Sequence, residues 1–509
     1  MTKRLMILAI GCAIGVVFWI GCAEQPAVAP ANPSRERFPS ADQNHVIPAN
    51  WNGPTFELSQ DYPHTEPKPE HYAWEEIDFT QEPKRYLTEI GRYVYEGNIE
   101  VDWVVQNNRV RQWFHAPWMH APEIKGEKEG RCRDEKGREF IRGLTRERSS
   151  TLAELNFGKD PTQCTNDIEN WAVSIYNPPG GFVVGQVWDE MTIHSRSERF
   201  PDPKNFPKDF PIGTVIAKLL FTTASPTLVP YLAGSPEVQA DIKRTQTPVT
   251  LRLLQVDIAV RDRRAEFDAL DKTKMASGWV FATYTYDKDS LLFDDGSEKT
   301  LPWRRLKPIG LMYGNERRQT ILVDTTIPLT QHLGCDQRLA GPVDNPSSSC
   351  LACHALAEVN GEEPFQRLNQ EPNGKKKYDQ CRCQDDVNFW FRTLSPGEAF
   401  TPKAVSLHFS LQLSNGILRY CDEHPEMCLP DGQPTQGSVV LKPCPIKIFN
   451  TCPNQPSPNE PACPMPSPSP SNKVASDTII NFGVETARGG DVENPEERTV
   501  KAPKKKTDR

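Results

Sequence analysis

The string Cys350-Leu351-Ala352-Cys353-His354 constrains this chain more than any other part of its sequence. Two cysteines with two residues between them lie on one helical turn, where both thiols can add to the vinyl groups at one edge of a porphyrin. The histidine that follows is then placed to ligate the iron. The string occurs once and predicts one covalent c-type haem, with Cys350 and Cys353 as attachment points and His354 as the proximal ligand. A disulfide beside an incidental histidine is the alternative.

The N-terminal segment resembles an export signal, with two basic residues ahead of an apolar run over 5–20. That run is shorter than the roughly 20 apolar residues of a membrane-spanning helix. A glycine and Cys22 follow, as at the lipidation site of bacterial lipoproteins, although Trp19 stands where that pattern carries leucine. We expect export to the periplasm, outer membrane or cell surface, with a lipid anchor on Cys22. Secretion in soluble form and an uncleaved anchor are the alternatives.

Export determines how the 14 cysteines are interpreted. An oxidising compartment favours disulfides, and ten cysteines remain once Cys12, Cys22 and the haem pair are set aside. Five bridges are therefore possible, with Cys132–Cys164 the first pair to test because no other cysteine lies near either. The short cysteine spacings after residue 380 could bind a metal, but export favours disulfides there too.

Charge and motifs exclude several classes of function. The formal net charge of −8 does not suit a protein that binds nucleic acid over its whole length, so no nucleic-acid partner is expected. The sequence has no glycine-rich phosphate loop, no HExxH and no Gly-x-Ser-x-Gly.

Alternation of apolar and polar residues predicts a large antiparallel β domain. The sequence Asn177-Pro-Pro-Gly-Gly181 predicts a hairpin turn between the first two of its strands, and the fourth strand contains one slip in phase. Helices are expected over 350–359, 385–394 and 403–420. The predicted strands are 171–176, 182–188, 214–222, 250–260 and 278–286.

The expected fold class is α+β: a β-rich sheet or barrel, then a short helical haem segment and an irregular, disulfide-rich tail. The expected divisions are a signal peptide with its lipidation site at 1–22, a flexible tether at 23–60, the β-rich domain at 61–340, the haem segment at 341–430, a Pro/Cys-rich tail at 431–475 and a basic C-terminal tail at 476–509.

The second axial ligand of the iron is open. Residues 355–404 contain neither methionine nor histidine, so a ligand directly downstream of the haem string is not available. The main candidates are Met119 and His115, from an aromatic segment rich in tryptophan, and His408. The same aromatic segment also offers His120, and His424 and Met427 follow His408. An iron with no distal protein ligand is the other possibility. Two strong axial ligands favour electron transfer, whereas an open face favours gas binding or catalysis.

Four strings resemble a group of exported bacterial monohaem c-type proteins over about 110–415 of this chain. They are Trp113-Phe-His-Ala-Pro-Trp118, Arg142-Gly-Leu-Thr-Arg-Glu-Arg148, Asn170-Trp-Ala-Val173 with Asn177–Gly181, and the segment Asn345–His354. The resemblance implies haem binding and export. It implies no particular reaction.

A weaker resemblance is to cytochrome P460, in which a β-rich domain ends in a haem-binding string. Phe210-Pro-Ile-Gly-Thr-Val215, Gly278-Trp-Val-Phe281 and the haem string occur here in that family's order. The resemblance implies an open iron face, and the enzymes of that family oxidise hydroxylamine. It also implies a lysine–haem cross-link, for which Lys218 is the candidate.

Together these observations favour a lipid-anchored monohaem cytochrome that transfers electrons to a redox partner protein. A P460-like haem enzyme or gas binder that acts on small nitrogen compounds is the first alternative. A disulfide-stapled lipoprotein without haem is the second.

Overall fold

A computed structural model describes part of the chain. The described ranges are 48–53, 55–68, 70–119, 124–126, 130–132, 138–147, 149–150, 152–155, 168–193, 209–243, 245–269, 271–324, 342–344, 348–360, 388–401 and 404–423. The predictions for the signal peptide, Cys22, the tether, the two tails and the Cys132–Cys164 bridge fall wholly or partly outside these ranges.

The described ranges contain twelve strands and six α-helices of four or more residues. The strands are β1 Ile124–Gly126, β2 Gly130–Cys132, β3 Thr145–Arg146, β4 Asn170–Tyr176, β5 Val215–Thr222, β6 Glu237–Ala240, β7 Val249–Arg261, β8 Trp279–Tyr286, β9 Leu306–Met312, β10 Thr320–Leu322, β11 Glu358–Asn360 and β12 Ala404–Ser406. The helices are α1 Pro83–Tyr95, α2 Leu152–Leu155, α3 Pro178–Ile193, α4 Leu301–Arg304, α5 Cys350–His354 and α6 Leu411–Glu423.

One large antiparallel sheet organises the structure, in the order β10-β9-β8-β7-β5-β4-β3, with β6 also paired to β7. This confirms the predicted α+β class with a sheet domain, and four of the five predicted strands coincide with β4, β5, β7 and β8. The slip in phase has a structural cause. Leu220 pairs with Gln255 and Phe221 with Leu253, so Leu254 is an extra residue at a β-bulge. The bulge returns the apolar residues of β7 to one face.

The predicted strand over 182–188 is wrong, because those residues lie in helix α3. The two prolines after Asn177 occupy the first turn of a helix, where the missing N–H groups cost nothing. The Asn177 side-chain oxygen accepts a hydrogen bond from Gly180 N at 3.4 Å, as a capping residue does. The sequence that predicted a turn is therefore the start of helix α3. Apolar side chains of this helix, among them Val184 and Trp188, pack against the sheet.

The helix predicted over 403–420 is partly wrong, because its first residues form β12 and the helix α6 begins at Leu411. His408 and Phe409 interrupt the two elements with φ angles of 53° and 64°. Strand β12 pairs with β11. The helix predicted over 350–359 is also partly wrong, because α5 ends at His354 and β11 begins at Glu358. Of the helix predicted over 385–394, residues 388–390 are helical.

The large sheet is covered on both sides, and every residue of β8 is buried. On one side, alternate residues of β5, β7 and β8 pack in a core that includes α1, and the Tyr284 hydroxyl donates to the Leu87 carbonyl oxygen at 2.7 Å. On the other side, a second core contains residues of α3, α5 and α6. The sheet therefore positions the haem string on this second side.

Candidate cofactor cavity

A cavity of about 400 Å³ lies on the second side of the sheet, bounded by strands β4, β5, β7 and β8 and by residues of α5 and α6. This volume is within the roughly 300–1,000 Å³ range of small-molecule and cofactor sites. Cys350, Cys353 and His354 all line it. The structure therefore brings all three residues of the haem string to one cavity.

Helix α5 is anchored where it begins. The Cys350 backbone N–H donates to the Met312 sulfur at 3.2 Å, and the Ser349 hydroxyl donates to the Asn315 side-chain oxygen at 2.6 Å. Both partners belong to β9 or to the turn that follows it. The sheet thus fixes the start of the helix whose single turn carries both thiols.

Cys350 and Cys353 are not joined in a disulfide. Burial raises the pKa of the Cys350 thiol far above its usual range. Burial also raises the pKa of Cys353, to about 11, against the opposing effect of the Lys218 ammonium. Both groups are therefore thiols at neutral pH, and a thiol carries the hydrogen that its addition to a vinyl group requires.

His354 is oriented by its Nδ1 atom, which lies 2.7 Å from the Phe409 carbonyl oxygen. A carbonyl can only accept, so Nδ1 carries the proton and Nε2 keeps its lone pair. Burial lowers the pKa of His354 to about 4, which keeps the ring neutral. Proximal metal-binding histidines are typically held in this way. The thiols, the oriented imidazole and the cavity fit a covalent haem.

The Phe409 carbonyl belongs to a short segment with a strained backbone. His408 and Phe409 are consecutive left-handed residues, a conformation that costs energy in side-chain-bearing residues and persists where surrounding contacts enforce it. One such contact joins the Tyr176 hydroxyl on β4 to the Ser410 hydroxyl at 2.7 Å. The partner of His354 thus depends on a contact with the sheet.

The three main candidates for the distal ligand are placed differently. Met119 and His408 line the cavity. His408 directs Nδ1 toward Asp209 Oδ1 at 3.5 Å and packs edge-on against Phe210. His115 is a core residue whose Nδ1 accepts from Ser59 N at 3.1 Å, and it is absent from the described cavity lining. The structure therefore brings two of the three beside the haem string.

A row of polar side chains crosses the cavity floor in register. Lys218 on β5 pairs with Ser174 on β4 and with Asp257 on β7, and Asp257 pairs with Thr283 on β8. All four line the cavity, and we call them the polar row. Since side chains alternate between faces of a strand, the polar row is one strip of a single face.

The next strip on the same face is apolar and aromatic. It consists of Tyr176, Ile216, Ala259 and Phe281 from the same four strands, again in register. The Phe281 ring lies 4.8 Å from the ring of His354. The cavity floor therefore changes from the apolar strip, which contacts His354 through Phe281, to the polar row next to that strip.

Charged contacts hold the polar row together. The Lys218 ammonium lies 3.3 Å from the Glu147 carboxylate. Asp257 accepts from the Thr283 hydroxyl at 3.0 Å and from the Gln255 amide at 2.7 Å. Burial raises the pKa of Asp257, although the Lys218 ammonium acts in the opposite direction. Burial acts to lower the pKa of Lys218, but the Glu147 and Asp257 carboxylates outweigh it and the pKa is raised. Ionisable groups with perturbed pKa values in a cleft are a frequent mark of a functional site.

The sequence had pointed to Lys218 only through the cytochrome P460 resemblance. It had not identified Asp257, Glu147 or the Phe409 carbonyl as parts of the site. An aspartate among alternating apolar residues of β7 was a usable signal for Asp257. A backbone carbonyl carries no sequence signal, and Glu147 reaches the cavity only through tertiary structure.

No protein-family model, no curated protein and no solved structure matches this chain. In the described part of the chain, no helix has the length and apolarity that crossing a membrane requires. Among those same residues, no group of three or more histidine, cysteine or acidic side chains is arranged to bind a metal ion.

Proposed function

We propose that this protein binds one haem covalently in the cavity and acts as an exported monohaem c-type cytochrome in electron transfer. One observation carries the proposal. The Phe409 carbonyl orients the imidazole of His354 within the cavity that also receives both thiols of the haem string. A disulfide with an incidental histidine would require none of this arrangement.

In this proposal Cys350 and Cys353 would hold the porphyrin through covalent bonds, His354 Nε2 would ligate the iron, and the apolar strip with Phe281 would contact the haem. The bound haem would supply a one-electron Fe(III)/Fe(II) couple. The sheet and α6 would cover part of the cofactor, and a redox partner protein would dock outside. A lipid anchor at Cys22 would place the protein at the periplasmic or outer-membrane surface.

Haem attachment is tested by expressing the full chain with cytochrome c maturation machinery and staining denaturing gels for covalent haem. We expect stain in the wild type and its loss in the Cys350→Ser/Cys353→Ser double variant. His71→Ala is the matched control for His354→Ala, because the His71 side chain is 70% exposed. We expect His71→Ala to keep the wild-type absorbance spectrum and His354→Ala to change it. An unstained wild type would refute the proposal and favour the haem-free lipoprotein.

A second candidate function is that of an open-site haem enzyme or gas binder resembling cytochrome P460. The polar row and the neighbouring Glu147 favour it, because partly burying Lys218, Asp257 and Glu147 costs desolvation energy that a simple electron carrier does not need to spend. EPR and absorbance spectra of the ferric protein separate the two. A six-coordinate low-spin spectrum supports electron transfer, whereas a high-spin spectrum with tight cyanide or NO binding supports the second candidate.

A further inference from the structure

Two strips of the cavity floor differ in what they can contact. The apolar strip, which includes Phe281 beside His354, suits the face or edge of a porphyrin. The polar row next to it suits a polar group instead, because a hydrocarbon surface would leave the N–H donors of Lys218 unused. The occupant beside the polar row is either a propionate of the haem itself or a separate polar ligand.

Lys218 is the member of the row best suited to hold such an occupant. An ammonium group has three N–H donors and no acceptor. Glu147, at 3.3 Å, can accept from one of them, and the hydrogen bonds that Asp257 accepts at Oδ1 come from Thr283 and Gln255, not from Lys218. The Lys218 side chain retains 31% of its exposure and lines the cavity, so its ammonium group has access to the cavity space.

We propose that Lys218, positioned by Glu147 and lying across from Asp257, donates a hydrogen bond to a small anionic or hydrogen-bond-accepting ligand that binds in the cavity beside the haem. This inference rests on the proposed covalent haem with the open iron face of the second candidate function, and it names the ligand class of the same cavity. The Glu147 and Asp257 carboxylates favour the charged form of the lysine, and their negative charges disfavour a multiply charged anion.

Fluoride is a suitable probe, because it is a small anion that binds ferric haem and is sensitive to hydrogen-bond donors near the iron. Its dissociation constant is measured by absorbance titration of the ferric holo-protein. We expect Lys218→Met to weaken fluoride binding by about tenfold or more, since hydrogen bonds that involve a charged group are the strong ones. Lys218→Arg, which keeps the charge, should recover part of the affinity.

Lys307→Met is the matched control, because Lys307 is another ion-paired strand lysine, 2.7 Å from Asp324, that does not line the described cavity. It should leave the fluoride affinity unchanged. Circular dichroism and the covalent haem stain establish that each variant is folded and loaded. An unstained wild type would defeat the haem proposal itself, which distinguishes that failure from the following ones.

Three results would overturn the inference while haem is bound. Fluoride affinity could be equal in wild type and Lys218→Met, or the wild type could fail to bind fluoride. The intact mass of the holo-protein could also show a loss of hydrogen that Lys218→Met lacks. Lys218 would then be covalently bonded to the haem and could not act as an ammonium donor.

Discussion

The contact between Tyr176 and Ser410 provides a sharp test of how the sheet supports the haem string. Their hydroxyl oxygens lie 2.7 Å apart and both residues are buried, at 0% and 3% exposure. Ser410 directly follows the carbonyl that orients His354. The perturbations are Tyr176→Phe, Ser410→Ala and the double variant, all in the full-length holo-protein.

The structure sets the expected magnitudes. In Tyr176→Phe the Ser410 hydroxyl still accepts from Leu413 N at 3.3 Å, so we expect a loss of about 1 kcal/mol, the net value of one hydrogen bond. Ser410→Ala leaves a buried phenol without this partner and should cost about 2 kcal/mol. Because one contact accounts for both losses, the double variant should cost about 1 kcal/mol less than the sum.

The assay is unfolding in urea, monitored by circular dichroism. The free energies of unfolding are compared with one common slope of free energy against urea concentration. Tyr95→Phe is the matched control, because the Tyr95 hydroxyl is buried with no hydrogen-bond partner among the described residues. Removing it should be neutral or stabilising. The reasoning is refuted if the loss in the double variant equals the sum of the two single losses to within about 0.3 kcal/mol, which is the behaviour of independent sites.

Three further predictions concern the surroundings of the cavity. A Cβ at Gly416 would lie 2.8 Å from the Pro117 carbonyl oxygen, so Gly416→Ala should overpack α6 and lower the unfolding free energy by about 1 kcal/mol in thermal denaturation, despite alanine's better helix propensity. Arg261→Met removes the cation 2.8 Å from Glu266 and beside Asp209, and should cost about 2 kcal/mol in urea unfolding; a stabilising effect would contradict it. Burial raises the pKa of Glu358, so ionisation lowers the stability of the folded state as pH rises through that pKa. Glu358→Gln should therefore match wild type below the unfolded-state pKa and be more stable at pH 8, and a constant difference across a pH series would refute this.

The sequence by itself predicted the elements that depend on local pattern. Alternation marked β4, β5, β7 and β8, and the slip in phase in β7 corresponds to the bulge at Leu254. The spacing of Cys350, Cys353 and His354 predicted a helical turn that the structure contains. Side-chain periodicity and one-turn spacing act within a few residues, so a single sequence reveals them.

Only the tertiary structure decided the features that depend on distant residues. The prolines after Asn177 suit a turn or a helix start equally well, and packing of α3 against the sheet decided for the helix. The left-handed pair before α6 is stable because contacts such as that of Tyr176 with Ser410 enforce it. The polar row with Lys218 exists because strand register brings residues more than a hundred positions apart into one strip. Register between distant strands leaves no local pattern in the chain, and for that reason the chemistry beside the haem string became visible only in the fold.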